Sequence, residues 1–235
     1  MREELNEQIV LGQVSSNTFI PKTSRGGVDG VAPLGFWFRK DPTVDPTNAD
    51  PGNIASDTYS WWRHNVADAS NGSPPTGGKF GLSVTTYNGI KVALRRMYNY
   101  CSRGSGGAPD MVVIDQVGFE TYENALDTQV RYQNTKMADM GFDNIKLRGA
   151  TMLWDELVPD VENGASSITT GTAWFINTDF YKLVIDSETD IVTTPFADAF
   201  AQTAKTAKIM FMGNTCVSNM RKHGCLWGIS QSIVA

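Results

Sequence analysis

The sequence has few of the residues that usually carry catalysis or bind metals. Two histidines and three cysteines occur among 235 residues, so acid–base chemistry near neutral pH would rest on His64, His223 or a perturbed carboxylate. Cys216, His223 and Cys225 do not follow the paired spacing of zinc ligands. Three cysteines in a chain of this length also argue against a disulfide framework and favour synthesis in a reducing cytoplasm. We therefore expect no enzyme, no cofactor and no metal site.

The sequence also lacks an excess of basic residues and any long apolar run. Its net charge of −5 argues against a general nucleic-acid binder, although it leaves room for a local basic patch. No apolar stretch approaches the length that spans a bilayer, and Glu3, Glu4 and Glu7 make the N-terminus unlike a signal peptide. A hydrophobic content of 41% with 19% charged residues is typical of globular proteins. We expect no membrane partner and a substantial core, in one large domain or two modest ones.

The clearest local pattern is an amphipathic helix over residues 85–104. Its apolar residues recur at three- and four-residue spacing, and Thr85 or Thr86 is a suitable N-cap, while Gly104 is suited to end the helix. The following Ser105-Gly106-Gly107 predicts a flexible joint. Residues 111–114 then predict a short strand buried on both faces.

The remaining segments alternate between helices and strands. A second amphipathic helix is predicted over 116–132, with Asp115 as its cap. The charged turn at 186–190 predicts a hairpin in which residues 191–194 pair back onto 181–185. Further strands are predicted over 145–147, 151–154, 173–177, 207–217 and 225–229. This order indicates an α+β fold.

An irregular region over residues 12–53 contains a run of aromatic side chains. Leu34-Gly35-Phe36-Trp37-Phe38 needs a surface to bury against, since aromatic side chains each carry on the order of 150 Å2 or more of contact area. We interpret this region as an extended excursion whose partner surface lies elsewhere, on another chain.

A second aromatic group lies within residues 57–67. Trp61, Trp62 and Arg63 have the chemistry of a stacking platform for bases. The alternative is a strand whose aromatic side chains pack on a sheet or at a subunit contact, and the absence of a wider basic groove favours it.

Several motifs, in this order, resemble the central part of tailed-phage major capsid proteins, which have the capsid fold named after phage Hong Kong 97. The resemblance covers about residues 26–229. In the first half, the motifs are Tyr-Ser-Trp-Trp-Arg-His-Asn at 59–65 and Ala-Pro-Asp-Met-Val-Val at 108–113. In the second half, they are Met-Gly-Phe at 140–142 before Ile-Lys-Leu-Arg-Gly-Ala at 145–150, Trp-Phe-Ile-Asn-Thr at 174–178, and Ala-Lys-Ile-Met-Phe-Met-Gly-Asn at 207–214 with Asn-Met-Arg at 219–221.

The resemblance implies a division of the chain into four segments. Residues 1–60 would form a residual N-terminal segment and the extended loop. Residues 61–105 would form a peripheral domain with the spine helix at 85–104, and residues 106–172 an axial domain. Residues 173–235 would return as strands to the peripheral domain, and the joint at 105–107 would let the axial domain tilt.

The function implied is that of a major capsid protein. Pentamers and hexamers of the chain would tile the icosahedral phage head around double-stranded DNA, with portal, scaffolding and decoration proteins as further partners. Arg95, Arg96, Arg221 and Lys222 would line the inner face. The predicted inter-subunit contact consists of Leu34, Phe36, Trp37 and Phe38, supported by Trp61, Trp62 and Arg63.

Three other functions stay open from the sequence. An encapsulin-like cellular compartment would use the same fold around enzymes. A cytoplasmic hydrolase would use Cys225 with His223, and a single-strand-binding module would use Trp61 and Trp62.

Overall fold

The computed structural model describes residues 2–15, 18–20, 30–43, 51–127, 145–159, 171–198 and 205–230. These residues form four α-helices: α1 (Arg2–Val10), α2 (Leu34–Trp37), α3 (Tyr87–Cys101) and α4 (Gln116–Asp127). Short 3-10 helices lie at Pro51–Asn53, Ser60–Trp62 and Met220–Lys222. The sequence also predicts a third helical piece over residues 133–140, which lies outside the described residues.

The described residues also contain fifteen β-strands. Seven of them form one mixed sheet: β3 (Asn65–Asp68), β4 (Phe80–Gly81), β5 (Met111–Ile114), β6 (Lys146–Leu147), β7 (Ala150–Trp154), β8 (Gly171–Ile176) and β15 (Gly224–Ile229). The other eight form two-stranded pairs: β1 (Gln13–Ser15) with β2 (Thr18–Ile20), β9 (Tyr181–Ile185) with β14 (Gly213–Val217), β10 (Val192–Thr193) with β13 (Ile209–Met210), and β11 (Ala197–Asp198) with β12 (Lys205–Thr206). The chain is therefore of mixed α and β structure.

The large sheet has the order β4-β3-β15-β8-β5-β7-β6. Strand β15 is parallel to β3 and antiparallel to β8, and β5 is antiparallel to β8 and parallel to β7. The segments 61–105, 106–172 and 173–235, which the resemblance implied, thus all contribute strands to one sheet. The sheet is not divided at residue 105 or at residue 172. The domain limits stay a prediction.

Helices α3 and α4 pack on one face of this sheet. The buried side of α3 carries Ile90, Leu94 and Met97, which join Phe175 and Leu226 of the sheet in one apolar cluster. The predicted helix is confirmed over Tyr87–Cys101, and the side chain of Thr86 caps it by accepting a hydrogen bond from the Gly89 amide. The helix ends at Cys101 with Ser102 as its C-cap, so Gly104, which has a φ of +82°, lies beyond the end that the sequence predicted for it. The predicted cap of α4 is confirmed as well, because Asp115 accepts from the Gly118 amide at 2.9 Å.

Close contact between α3 and β15 depends on Gly224. A Cβ atom at this position would lie 2.3 Å from Cε of Met97 and 2.6 Å from Sγ of Cys101. Any larger residue would therefore force the side chains of Met97 and Cys101 to shift within the packed core.

The opposite face of the sheet is covered by residues 30–43, α1 and the start of the 181–217 region. Trp174 and Ile176 of β8 and Cys225 of β15 pack there against Leu34, Trp37 and Phe38. The indole of Trp174 donates a hydrogen bond to the Phe38 carbonyl at 3.3 Å. The ammonium of Lys40 lies 3.6 Å from the centre of the Trp227 ring, which is a cation–π contact. The segment 30–43 is thus a strap across the sheet.

The joint after α3 is held by hydrogen bonds, in contrast to the flexible joint that the sequence predicted. The side-chain amide of Asn177 donates to the carbonyls of Gly106 and Ala108 at 3.4 and 3.0 Å. The ammonium of Lys222 donates to the carbonyls of Arg103, Gly104 and Gly107 at 3.0 to 3.2 Å. Lys222 is buried, with 3% of its surface exposed, so it does not line an inner face as the resemblance implied.

Replacing Lys222 by methionine is expected to lower the free energy of unfolding by about 2 to 4 kcal/mol, because three carbonyls lose a charged donor. Urea unfolding followed by tryptophan fluorescence measures the change. Arg221→Met is the matched control, since Arg221 is the exposed neighbour and should change stability by no more than about 0.5 kcal/mol. Equal effects of the two substitutions would contradict the role given to Lys222.

Candidate assembly surface

The structure places most of the predicted contact residues inside the chain's own core. Leu34, Trp37 and Phe38 are 3%, 7% and 1% exposed. The indole of Trp37 donates to Oγ1 of Thr215 at 2.8 Å, and the Phe38 ring stacks on His223 with ring centres 4.7 Å apart. These side chains have partners within the chain, so the reason for placing them in an extended loop or against a neighbouring chain does not hold.

The second predicted group is divided between core and surface. It lies on a 3-10 turn and the residue after it, not on a strand. Trp62 is buried and its indole donates to the Pro51 carbonyl at 2.7 Å, whereas Trp61 is 55% exposed. The guanidinium of Arg63 donates to the carbonyls of Ser56 and Asp57. Contact of Phe36, Trp61 and Arg63 with another subunit stays a prediction.

The Cys225 and His223 pair lacks the properties of a nucleophile and its base. Cys225 is 2% exposed, and burial raises the pKa of its thiol to about 12, so the reactive thiolate does not form near neutral pH. His223 is fully buried and its Nδ1 accepts a hydrogen bond from the Asn177 amide at 3.3 Å. The geometry therefore gives no support to the hydrolase alternative.

A long two-stranded ribbon, which we call the arm, occupies residues 181–198 and 205–217. Strand β9 pairs with β14, then β10 pairs with β13, and β11 pairs with β12, always antiparallel. The predicted pairing of 191–194 with 181–185 is wrong. The turn at 186–190 does not reverse the chain, because the Asp186 amide donates to the Met212 carbonyl and the Met212 amide donates to the Thr189 carbonyl. The ladder therefore continues past this turn.

The base of the arm is anchored on the core. Val217 and Thr215 are buried, and Tyr181 packs against the cluster that contains Trp37 and Phe38. The hydroxyl of Thr215 also donates to the Ala32 carbonyl at 2.7 Å. The arm thus starts from a fixed position on the strap and the sheet.

Beyond its base, the arm exposes an unusual amount of apolar surface. Of the thirteen large apolar side chains that are exposed among the described residues, nine lie on the arm: Leu183, Val184, Ile185, Ile191, Val192, Phe196, Ile209, Met210 and Met212. Phe196 and Met212 reach 73% and 63% exposure. Nine exposed apolar side chains concentrated on one ribbon indicate an interaction site, whereas scattered single residues do not.

The backbone of the arm is also open to pairing. Among the described residues, each arm strand pairs with one other strand only. The outer edges of the ribbon therefore present N–H and C=O groups that a further strand can satisfy. Apolar side chains and open edges together make the arm the candidate assembly surface.

Charges of both signs lie on the arm. Asp186, Glu188 and Asp190 lie on its turn, and Asp198 of β11 lies opposite Lys205 of β12.

The described residues contain neither a cluster of metal ligands nor a membrane-spanning helix. No group of three histidine, cysteine, aspartate or glutamate side chains within them is placed to hold a metal ion. None of their helices combines the length and the apolar character that crossing a bilayer requires.

No family model and no curated protein matches the sequence at a significant level. Among solved structures, the chain is similar to the protein of the holo-SrpI encapsulin complex from Synechococcus elongatus PCC 7942, with a TM-score of 0.46 and 9% sequence identity. The alignment covers 80% of this chain and 57% of that one. The chain therefore spans little more than half the length of the encapsulin protein.

Proposed function

We propose that this chain is a structural subunit of a closed protein shell and assembles with copies of itself through the arm. The observation that carries the proposal is the exposed apolar surface of the arm on a chain whose sheet is otherwise covered by helices and strap. A monomer would leave this surface in water, whereas many identical copies would bury it in repeated contacts closed by symmetry. The proposed role requires no catalysis and no cofactor.

The order of the capsid-like motifs supports a finer proposal. On this proposal the shell is the head of a tailed phage around double-stranded DNA, and portal, scaffolding and decoration proteins bind to it. A cellular compartment around enzymes is the second candidate, because the same arm serves both. The contents of purified particles distinguish the two, since DNA would support the phage head and enclosed proteins the compartment.

Electron microscopy of the purified chain, with its mass measured by light scattering, tests assembly directly. Closed shells, or rings of five or six subunits, are expected. A monodisperse species of 25.7 kDa at every concentration would contradict the proposal.

Replacing Phe196 and Met212 together by serine is expected to abolish particle formation and leave the subunit folded. Burial of each side chain contributes about 1.5 to 3 kcal/mol to a contact, so a loss of about 3 kcal/mol weakens that contact on the order of 100-fold. Light scattering measures the mass, and circular dichroism checks the fold.

Leu153→Ser is the matched control for the arm variant, because Leu153 is 47% exposed and lies on β7, away from the arm. Its particle yield should equal that of the unaltered chain. An unchanged yield in the arm variant, or an equal loss in both, would show that the arm is not the assembly surface.

A further inference from the structure

A cleft with cationic walls lies between α3, α4 and the β6–β7 turn. Its volume is about 400 Å3, within the usual range of pockets that bind small organic groups. Lys91, Arg95 and Arg148 contribute its charges, and Val92, Tyr122 and Leu147 form much of its apolar lining.

The fold positions each of the three cations. Lys91 and Arg95 are four residues apart on α3 and therefore lie on the same side of the helix. The Lys91 ammonium donates to the Ala125 carbonyl near the end of α4 at 2.9 Å. Arg148 has a φ of +51°, and its guanidinium donates to Oδ1 of Asn99 at 2.7 Å. The Tyr98 hydroxyl donates to the Arg148 carbonyl at 3.1 Å, which ties the turn to α3.

The charge of the cleft is opposite in sign to that of the chain. The whole sequence has a net charge of −5, yet α3 carries three cations and no acidic residue. Among the residues that the structure describes, none of those that line the cleft carries a carboxylate. Three cations within one cleft repel each other unless an anion lies between them, so the arrangement favours an anionic ligand.

We propose that this cleft binds phosphate groups of a nucleic-acid strand, without sequence preference. Lys91 and Arg148 each use a donor on a protein oxygen and keep further N–H groups for a ligand, and Arg guanidinium groups match phosphate oxygens in two-point geometry. The apolar lining offers a surface for the sugar and the face of a base. The cleft lies within one chain, so the inference stands whether or not the chain forms a shell.

Fluorescence anisotropy with labelled single-stranded DNA of mixed sequence tests this site on the full chain. The double variant R95Q/R148Q is expected to bind at least tenfold more weakly, and to reduce the slope of log K against log salt by about 1.4, as the loss of two phosphate contacts predicts. The variant K79Q/R221Q is the matched control, because it removes two exposed cations, one of them at the opposite edge of the sheet beside β4. Its affinity should stay within twofold of the unaltered chain.

Three results would overturn the proposal. Equal weakening in both double variants would show that general charge, not the cleft, attracts DNA. Displacement of the DNA by polyglutamate at equal charge would assign the cleft to acidic protein segments. Displacement by inorganic phosphate at equal phosphate concentration would assign it to small free phosphates. Because particle mass is measured separately, failure here is distinct from failure of the shell proposal.

Discussion

Replacing Trp37 by alanine is expected to lower the free energy of unfolding by about 3 to 5 kcal/mol, the range for removing a large aromatic side chain from a core. Trp37 is 7% exposed and packs between the strap and the sheet. The substitution also leaves Oγ1 of Thr215, which is buried, without its indole donor. The main consequence is therefore loss of the folded subunit itself, and loss of assembly follows from it.

Urea unfolding of the Trp37→Ala chain measures this effect. Trp61→Ala is the matched control, because Trp61 is 55% exposed and its removal opens no cavity; its effect should not exceed about 1 kcal/mol. A Trp37→Ala subunit that is as stable as the unaltered chain but fails to assemble would restore the inter-subunit role predicted from the sequence.

Lowering the pH from 7.5 to 5 is expected to destabilise the protein by about 4 kcal/mol through two buried histidines. Burial lowers the pKa of His64 to about 4, while its Nε2 donates to the Arg39 carbonyl at 2.7 Å. Burial, with His64 nearby, lowers the pKa of His223 to about 3. Nε2 of His223 has no hydrogen-bond partner among the described residues. Both imidazoles are therefore neutral in the folded protein at pH 5.

The direction of this change in stability follows from proton binding in the folded and unfolded states. Above an ordinary histidine pKa near 6.5, both states hold neutral imidazoles, and the histidines add no pH dependence. Below it the unfolded chain binds protons and the folded chain does not, so stability falls with pH until the folded pKa is reached. Each histidine contributes about 2 kcal/mol of this loss by pH 5.

Unfolding free energies measured at pH 7.5 and pH 5 test this prediction. The variants His64→Gln and His223→Gln show how much of the pH dependence each histidine causes. Each variant should lose about half of the pH dependence, whatever its stability at pH 7.5. A stability that does not change between the two pH values in the unaltered chain would show that the imidazoles are not held neutral by burial.

The parts of the fold that the sequence predicted well depend on local signals. The α3 helix, its Thr86 cap and the Asp115 cap of α4 are each decided within a few residues of chain. The strand at 111–114 is decided by its own apolar run. The conformation of such elements is determined by adjacent residues, and tertiary contacts only stabilise it further.

The failures concern contacts between segments far apart in the chain. Phe38 contacts Trp174 and His223, which lie more than a hundred residues later, so nothing near residue 38 showed where its ring is buried. The pairing of β9 depended on the turn at 186–190, and a charged turn is compatible with both a reversal and a bulge in a continuing ladder.

The assembly surface was missed for a related reason. The apolar run Ile209-Met210-Phe211-Met212 indicated one apolar strand within residues 207–217. In the structure it breaks into β13 and a connection to β14, and its side chains face solvent on a ribbon with one partner. A strand that packs in the core of its own chain and a strand that packs against a neighbouring chain have the same apolar sequence pattern, because both environments are apolar.

The position of β15 sets the order in which the protein can be completed during translation. This strand lies between β3 and β8 in the middle of the sheet, yet residues 224–229 leave the ribosome after all the other strands of the described residues. Until then β3 and β4 cannot join the remaining four strands, while the apolar arm has already been synthesised. Each polypeptide thus joins the two parts of its sheet only after its arm has been made, and during that interval the exposed arm is most open to pairing with the wrong strand.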